Sequence, residues 1–367
     1  MRGGGLAMSL RQLSPEKNAI LTLDAPGDPC FSDVKAPVFA LGPAKGKFGI
    51  APGVMGWIEA HLHEFDAAVI HGLWQYHGAA FLLAKKPSKF PYFVMPHGML
   101  DPWFWKAYPL KGLKKLLYWA AIERWLFKGA RGVFFTADGE LRKAQWLSAV
   151  CPGLQKVVPF GIVPPTVDPE AAKAQFFTSH PAFRECKTIL FLSRIHPKKG
   201  VHWLVEAWKQ LEADGAIPQE WVLLVAGPHA ESEAAYFEVL KENAMGSRVV
   251  FLDHLGGLEK WGAFSVAEAF ILPSQQENFG FAVVEALYMG TPVLISQAID
   301  IADRIAAEGA GFVAPASLEG TREVLRHFFA LSPSEHTILK KNVLKCFHEF
   351  FDISDCKRGF FDASAEI

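Results

Sequence analysis

Pro273-Ser274-Gln275-Gln276-Glu277-Asn278-Phe279-Gly280-Phe281-Ala282-Val283-Val284-Glu285-Ala286-Leu287 runs on into Tyr288-Met289-Gly290-Thr291-Pro292-Val293-Leu294-Ile295. The stretch reads as strand, loop, helix, strand. Residues 269–272 form a short apolar run ending at a proline, Gly280 opens a helix over residues 280–289, and residues 292–295 are the next buried strand. That alternation builds a parallel sheet. Glu277 falls in the loop past a strand's C-terminal end, where open α/β sheets bind ligands. Glu285 interrupts a helix that is otherwise almost wholly apolar, and a buried carboxylate needs a partner. Between them, Asn278-Phe279-Gly280-Phe281 sets backbone N–H groups at a helix start, a natural anion site. Two readings stay open on these residues alone: an anion-binding loop, or a tight turn with Glu285 paired to a core arginine.

Composition sets the frame. The chain has 367 residues, half of them hydrophobic, and a formal net charge of −1. That length suits two domains, each able to bury a full core. A near-neutral balance argues against general nucleic-acid binding. The five cysteines (Cys30, Cys151, Cys186, Cys346, Cys356) are scattered and hold no CxxC pair. Reduced thiols of a cytosolic protein fit that pattern better than disulfides or a zinc site. No apolar run reaches membrane-spanning length, and no signal peptide is visible.

The Glu277/Glu285 stretch resembles the Glu-x7-Glu signature of retaining glycosyltransferases of family four, which have the GT-B fold; the flanking Pro-Ser and Gly-Thr-Pro-Val match as well. The resemblance implies two Rossmann-like doubly wound domains facing across a cleft. It implies that Glu277 sits near a donor sugar, that the amides of Asn278, Phe279, Gly280 and Phe281 meet sugar and diphosphate, and that Glu285 accepts ribose hydroxyls. The second domain opens with a strand at residues 188–192, then Ser193-Arg194-Ile195-His196-Pro197-Lys198-Lys199-Gly200. Cations beside a helix start suit a phosphate pair, and a basic surface loop is the plain alternative. By its likeness to the family's Arg-x4-Lys-Gly motif, Arg194 and Lys199 meet the donor diphosphate, while Lys198 is expected in solvent.

The first half carries a second likeness. Pro96-His97-Gly98-Met99-Leu100-Asp101-Pro102-Trp103 follows a strand and resembles a motif of bacterial members, which makes His97 a donor contact; on the residues alone it could equally be a histidine satisfied by a turn carbonyl. His71, Trp74, Asp101 and Trp103 are weaker, acceptor-side candidates, with Trp105 as a further sugar platform or a core residue. A Gly3-Gly4-Gly5 run stands where the family places a phosphate-facing loop, so Gly3 and Gly4 are expected donor contacts. No strand precedes it, and the expectation is a misplaced start or a truncated chain, with the first strand of the sheet missing.

Residues 106–131 interleave lysines and arginines with Tyr118, Trp119 and Trp125. Leu113, Leu116, Leu117 and Ala120 are expected to form the core stripe, with Lys111, Lys114 and Lys115 on the other side. A solvated lysine face explains this; so does a peripheral membrane contact, which would suit a lipid-linked acceptor and the inner face of the cytoplasmic membrane. The expected domains are 1–165 on the acceptor side, 166–345 for the nucleotide-sugar, and 346–367 as a tail returning to the first domain through Phe347, Phe350, Phe351, Phe360 and Phe361. The implied activity is transfer of a sugar from a nucleoside diphosphate-sugar to a saccharide or lipid-linked acceptor hydroxyl, with no cofactor and no metal, in cell-surface polysaccharide or glycolipid assembly. A nucleotide-sugar epimerase, a phosphorylase using free phosphate, and a catalytically dead membrane-bound scaffold are the competing readings.

Overall fold

The computed structural model describes residues 17–32, 34–84, 90–103, 109–151, 153–158, 160–163 and 166–352. Gly3, Gly4, Trp105, Phe360, Phe361 and the expected missing first strand lie outside the described residues. The chain divides into two compact units, the first reaching Val163 and the second spanning Pro164–Asp352.

In the first unit every strand pairing is parallel. β1 (Ile20–Thr22) and β2 (Val38–Ala40) form one two-stranded sheet. β3 (Ala68–His71), β4 (Tyr92–Met95), β5 (Gly132–Phe135) and β6 (Leu154–Val157) form a second, in sequence order. Helices α1 (Gly53–His61), α2 (Tyr76–Ala84), α3 (Pro109–Tyr118), α4 (Arg124–Gly129) and α5 (Asp138–Lys143) connect them. A π-helical segment, Trp119–Glu123, joins α3 to α4. β4 and β5 are apolar on both faces and buried throughout, as strands covered on both sides must be.

The second unit has one six-stranded parallel sheet in the order β12-β11-β10-β7-β8-β9. Its elements in chain order are α6 (Pro169–Ser179), β7 (Lys187–Leu192), α7 (Val201–Ala213), β8 (Trp221–Ala226), α8 (Ala234–Ala244) and β9 (Val249–Leu252). They continue with α9 (Gly257–Val266), β10 (Ala267–Leu272), α10 (Phe281–Tyr288), β11 (Val293–Ser296), α11 (Ala302–Ala307), β12 (Gly311–Ala314), α12 (Leu318–Phe329) and α13 (Pro333–Phe350). Counted from β7, this is the 3-2-1-4-5-6 order of a dinucleotide-binding sheet with its direction of growth reversing between β7 and β10. Side chains at that reversal have no helix crossing over them, which is why ligands collect there.

Two expectations need correcting. The sequence from Trp261 to Ala269 reads as a helix; the helix instead begins four residues earlier at Gly257 and gives way to β10 at Ala267. α9 is fixed against α6 at Gly262, where a Cβ would stand 2.2 Å from the Ala172 carbonyl oxygen. The boundary expected at 345/346 falls inside α13. Phe347 packs on Tyr288, Phe351 on Phe279, and Phe350 beneath the Arg304 guanidinium, all within the second unit. The apolar face of α10 has to be covered by something, and the end of α13 covers it.

Candidate functional site

In the second unit, the loops after β7, β10 and β11 are stitched together at the strand ends. Gln275 N–H donates to the Lys198 carbonyl at 2.8 Å, and the Ser274 hydroxyl reaches the same oxygen at 3.2 Å. Ser296 donates its hydroxyl to the Ser274 carbonyl. Asp300 N–H donates to the carbonyls of Glu277 and Asn278 at 3.1 and 3.2 Å. The 296–301 loop lacks the glycines of the family pattern, yet it grips the Glu277 loop through its backbone. Gly200 makes the approach possible: its φ is +71°, and a Cβ there would lie 2.2 Å from the Pro273 oxygen.

This stitching brings together residues 78 positions apart. The Lys199 ammonium is in direct contact with Glu277 Oε2, at the reversal between β7 and β10. Glu277 in turn lies against Gly280, whose φ of +68° starts α10. Burial, then the charges of Lys198 and Arg194, pull the Lys199 ammonium down to about 7. The Glu277 carboxylate in contact favours the ammonium form. Arg194 is exposed. Lys198, expected in solvent, is half-buried and weighs on Lys199 more than Arg194 does, because its carbonyl is tied under the Ser274–Gln275 loop. Phe279 is buried and stacks edge-on with Phe281, holding the loop that carries Asn278.

Glu285 is 7 % exposed on α10. Its partner is a lysine, not the core arginine considered from the sequence: Lys260 Nζ stands 2.8 Å from Oε1. Lys260 also lies 4.1 Å from the centre of the Trp261 ring. Sequence reasoning missed Lys260 because it started the helix four residues too late, at 261. The Gly256-Gly257 pair ahead of Glu259 was the available signal.

The first unit gathers a separate group at the ends of β3 and β4. His71 Nδ1 and His97 Nε2 are 2.9 Å apart, and the His97 ring meets Phe160 edge-on. Burial, then His77, pushes His71 down to about 4; burial, then His71, pushes His97 down to about 3. Both rings are therefore neutral at physiological pH. His97 has φ +52° and Trp74 φ +66°, a conformation non-glycine residues adopt only when held. Buried carboxylates hold both turns. Glu140 accepts from Gly98 N–H through Oε1 and from Thr136 through Oε2, and Glu123 accepts from Trp74 N–H at 2.6 Å. The Trp74 indole N–H donates to the Met99 carbonyl at 3.3 Å, with Lys115 Nζ 5.0 Å from the ring centre. Asp101 is buried, accepting from Trp103 N–H at 2.8 Å and Lys143 Nζ at 2.9 Å. Its oxygens are committed to that turn, which removes it from the acceptor-side candidates. Trp103 is half-buried beside it.

The core stripe expected along α3 does not face inward at Leu116, Leu117 and Ala120, while Lys114 is exposed as expected and the side chains of Lys111 and Leu113 lie outside the described residues. Leu116 and Leu117 are 53 % and 66 % exposed, Ala120 is exposed too, and Lys115 turns inward over Trp74. Leu116 and Leu117 precede the π-helical turn; the side of α3 turned inward is the one that carries Lys115 over Trp74 and Tyr118, whose hydroxyl donates to the Gln75 carbonyl at 2.9 Å. Among the described residues, no helix is long and apolar enough to cross a membrane. Among them, too, no group of three or more His, Cys, Asp or Glu could hold a metal ion.

A six-stranded sheet of dinucleotide-binding order, with cations and carboxylates meeting at its reversal, defines a nucleotide-ligand domain, and a second parallel α/β unit precedes it. Comparison with known proteins narrows that class. The model for glycosyl transferases group 1 matches residues 186–327, and that for the glycosyl transferase 4-like domain matches residues 15–161. The chain belongs to the family-four glycosyltransferases of GT-B fold. It is 31 % identical over 181 residues to the 2-deoxystreptamine glucosyltransferase of Streptomyces kanamyceticus, covering 47 % of this chain and 44 % of that one. It is 26 % identical over 216 residues to a lipopolysaccharide core biosynthesis mannosyltransferase of Rhizobium leguminosarum bv. viciae, covering 55 % and 57 %. The matches thus span about half the length of these curated relatives. Among solved structures, Anabaena HepE in complex with UDP and glucose aligns with a TM-score of 0.76 at 17 % identity, over 100 % of this chain and 96 % of that one. Sucrose-phosphate synthase of Thermosynechococcus elongatus aligns at 0.71 and 18 % identity, over 90 % and 83 %. At such identities the likeness is one of fold.

Proposed function

We propose that this protein transfers a sugar from a nucleoside diphosphate-sugar to an acceptor hydroxyl, with retention of configuration. The observation that carries the reading is the Lys199–Glu277 contact at the sheet reversal, with Gly280 and Glu285 following on the same helix. As the glycosidic bond breaks, negative charge builds on the departing diphosphate. Lys199, Arg194 and the positive end of α10 meet that charge, and fixed donors of this kind are worth about 3 kcal/mol each. Glu277 lies next to the sugar, and Glu285 takes the ribose hydroxyls. The departing phosphate takes the acceptor's proton, so no dedicated base is required. Relatives named for glucosyl and mannosyl transfer, and a fold neighbour solved with UDP and glucose, support this donor class.

The acceptor is a saccharide or lipid-linked saccharide of cell-surface assembly, reached from the cytoplasmic face of a membrane. Support comes from the run between α3 and α4: Leu116, Leu117 and Trp125 are at least half exposed, with Arg124 and Lys128 over the Trp125 ring. Apolar side chains flanked by cations suit an anionic interface. Co-sedimentation with phosphatidylglycerol vesicles, lost in Leu116→Ser/Leu117→Ser and absent with phosphatidylcholine alone, is expected; equal pelleting of both proteins refutes the contact.

The donor reading is tested by a thermal-shift screen against UDP, GDP, ADP and their sugars, followed by donor hydrolysis. One nucleotide series should raise the melting temperature, and Lys199→Ala or Glu277→Ala should lower hydrolysis about a hundredfold. Unchanged hydrolysis in both variants favours the scaffold alternative.

A further inference from the structure

We infer that Lys260 is a positioning residue for nucleoside recognition, setting the Glu285 carboxylate so that the protein distinguishes ribose from deoxyribose. The inference deepens the proposed function and rests on its assignment of Glu285 to the ribose. Glu285 is surrounded on its own helix by Val283, Val284, Ala286 and Leu287, all fully buried. An ionised carboxylate in such a place needs a cation, and Lys260 is the one within ion-pair distance, Nζ to Oε1 at 2.8 Å.

Three features of α9 fix that ammonium. Trp261 presents its ring face 4.1 Å beneath it, where a cation is attracted to the π density. The Trp261 ring is itself held edge-on by Tyr288, one turn beyond Glu285 on α10. At the start of α9 Glu259 pairs with His180 at 2.9 Å, and further along Gly262 lies against the Ala172 carbonyl. Lysine, tryptophan, tyrosine and glutamate thus form a closed loop between two helices, so neither end of the ion pair can drift. Oε1 is engaged by Lys260; no hydrogen bond to Oε2 is formed among the described residues. Nor is Oε2 among the buried atoms lacking a partner, so it keeps access to solvent. A carboxylate with one oxygen anchored and the other open is a directed acceptor for hydroxyl donors.

Without Lys260, a carboxylate this buried takes up a proton or turns toward water. Either event removes the acceptor that a ribose hydroxyl would find, while the diphosphate contacts at Lys199 and Arg194 stay as they are. The consequence is selective: loss of sugar discrimination in the nucleoside, without loss of pyrophosphate binding. A merely structural ion pair predicts a lower melting temperature with discrimination intact.

Calorimetric titration of the full chain with UDP, GDP and ADP and with their 2′-deoxy counterparts reads this directly. For the nucleotide that binds, the wild-type protein should prefer the ribo form about tenfold, the worth of one hydrogen bond to a charged group. Lys260→Met should bring that ratio to within about twofold of unity and weaken the ribonucleotide about tenfold. Its pyrophosphate affinity should be unchanged, and Lys260→Arg should restore the ratio. Should Lys260→Met fail to fold, Lys260→Gln is read in the same way. A wild-type ratio retained in the variant, or a parallel loss of pyrophosphate affinity, overturns the inference. A wild-type protein that binds a nucleotide without preferring ribose overturns the Glu285 assignment and the inference with it. One that binds no nucleoside diphosphate overturns the proposed function itself.

Discussion

Exchanging Glu123 for glutamine should flatten the pH dependence of the first unit's stability above pH 5. Glu123 is 1 % exposed. Its Oε1 takes the Trp74 N–H at 2.6 Å, and its Oε2 is sealed from solvent with no hydrogen-bond partner. Burial pushes the carboxyl up from 4.5 to about 7, and the Trp74 N–H only partly offsets this. Among nearby groups, burial and then the Glu123 charge push the Tyr118 hydroxyl up, while Lys115 lies over the Trp74 ring. The unfolded chain releases this proton near 4.5 and the fold retains it to about 7. Between those values the fold holds more protons, so stability falls as pH rises and levels off above about 7. The full penalty is about 3 kcal/mol, of which about 2.5 kcal/mol accrues between pH 5 and 8. Glutamine keeps an oxygen for Trp74 and cannot ionise. Urea unfolding of both proteins at each pH, followed by exchange protection of β3 and β4 amides, gives the stability gap between them. Contributions from His71 and His97 are common to both proteins and cancel. The gap should move in favour of Glu123→Gln by about 2.5 kcal/mol from pH 5 to 8. Parallel curves, within about 0.5 kcal/mol, would show that Glu123 ionises normally, and the buried-carboxylate account of the Trp74 turn would fall.

Gly200→Ala should unfold or severely destabilise the second unit, because its new methyl would meet the Pro273 oxygen at 2.2 Å. Gly215→Ala is the control, with nearly the same φ of +70° but open space around it; it should cost about 1 kcal/mol in thermal unfolding. Burial and the neighbouring cations already hold the Lys199 ammonium down to about 7, and removing the Glu277 carboxylate should lower it further. Pyrophosphate affinity of Glu277→Gln should therefore be lost at lower pH than that of the wild type, and superimposable profiles would refute the opposition of Glu277. His71 and His97 remain neutral in the fold down to about 4 and about 3, whereas unfolded histidine takes a proton near 6.5. Stability of the first unit contributed by these rings is therefore present above 6.5 and lost as pH falls below it. His97→Gln should show a shallower acid slope in the same exchange experiment, and an unchanged slope would count against the buried pair.

The second unit's site was legible in the sequence because its determinants are local. Arg194 and Lys199 fall in the loop after β7, Glu277 in the loop after β10, Gly280 opens α10 and Glu285 interrupts its apolar run, and the 3-2-1-4-5-6 order then brings the loops after β7 and β10 together. Arg194, Lys199, Glu277, Gly280 and Glu285 could be singled out on those terms. What could not be read was pairing across elements. Whether Glu285 met an arginine or a lysine depended on where α9 starts, and that start is set by Gly256 and by packing against α6, not by the periodicity of α9 alone. Asp101 looked like a ligand for the same reason in reverse: its partner Lys143 lies on a different helix, 42 positions away.

The group at the ends of β3 and β4 resisted reading for a different reason. Its geometry rests on departures from regular structure, which periodicity cannot register. Trp74 and His97 sit at positive φ, each fixed by a carboxylate from a distant helix, and a hydrophobic pattern gives no hint of either. The π-helical turn at Trp119–Glu123 is the decisive case. That turn carries Glu123 to the Trp74 N–H and offsets α4 from α3, on which Leu116 and Leu117 face outward. The sequence suggested a core stripe and a wet lysine face; the fold presents an apolar edge to the outside and a lysine over an indole. If the turn were regularised by deleting one residue within Trp119–Ile122, both features should vanish together: vesicle binding and the hold on Trp74. A deletion that abolished only one would mean that the outward leucines and the buried glutamate are fixed independently.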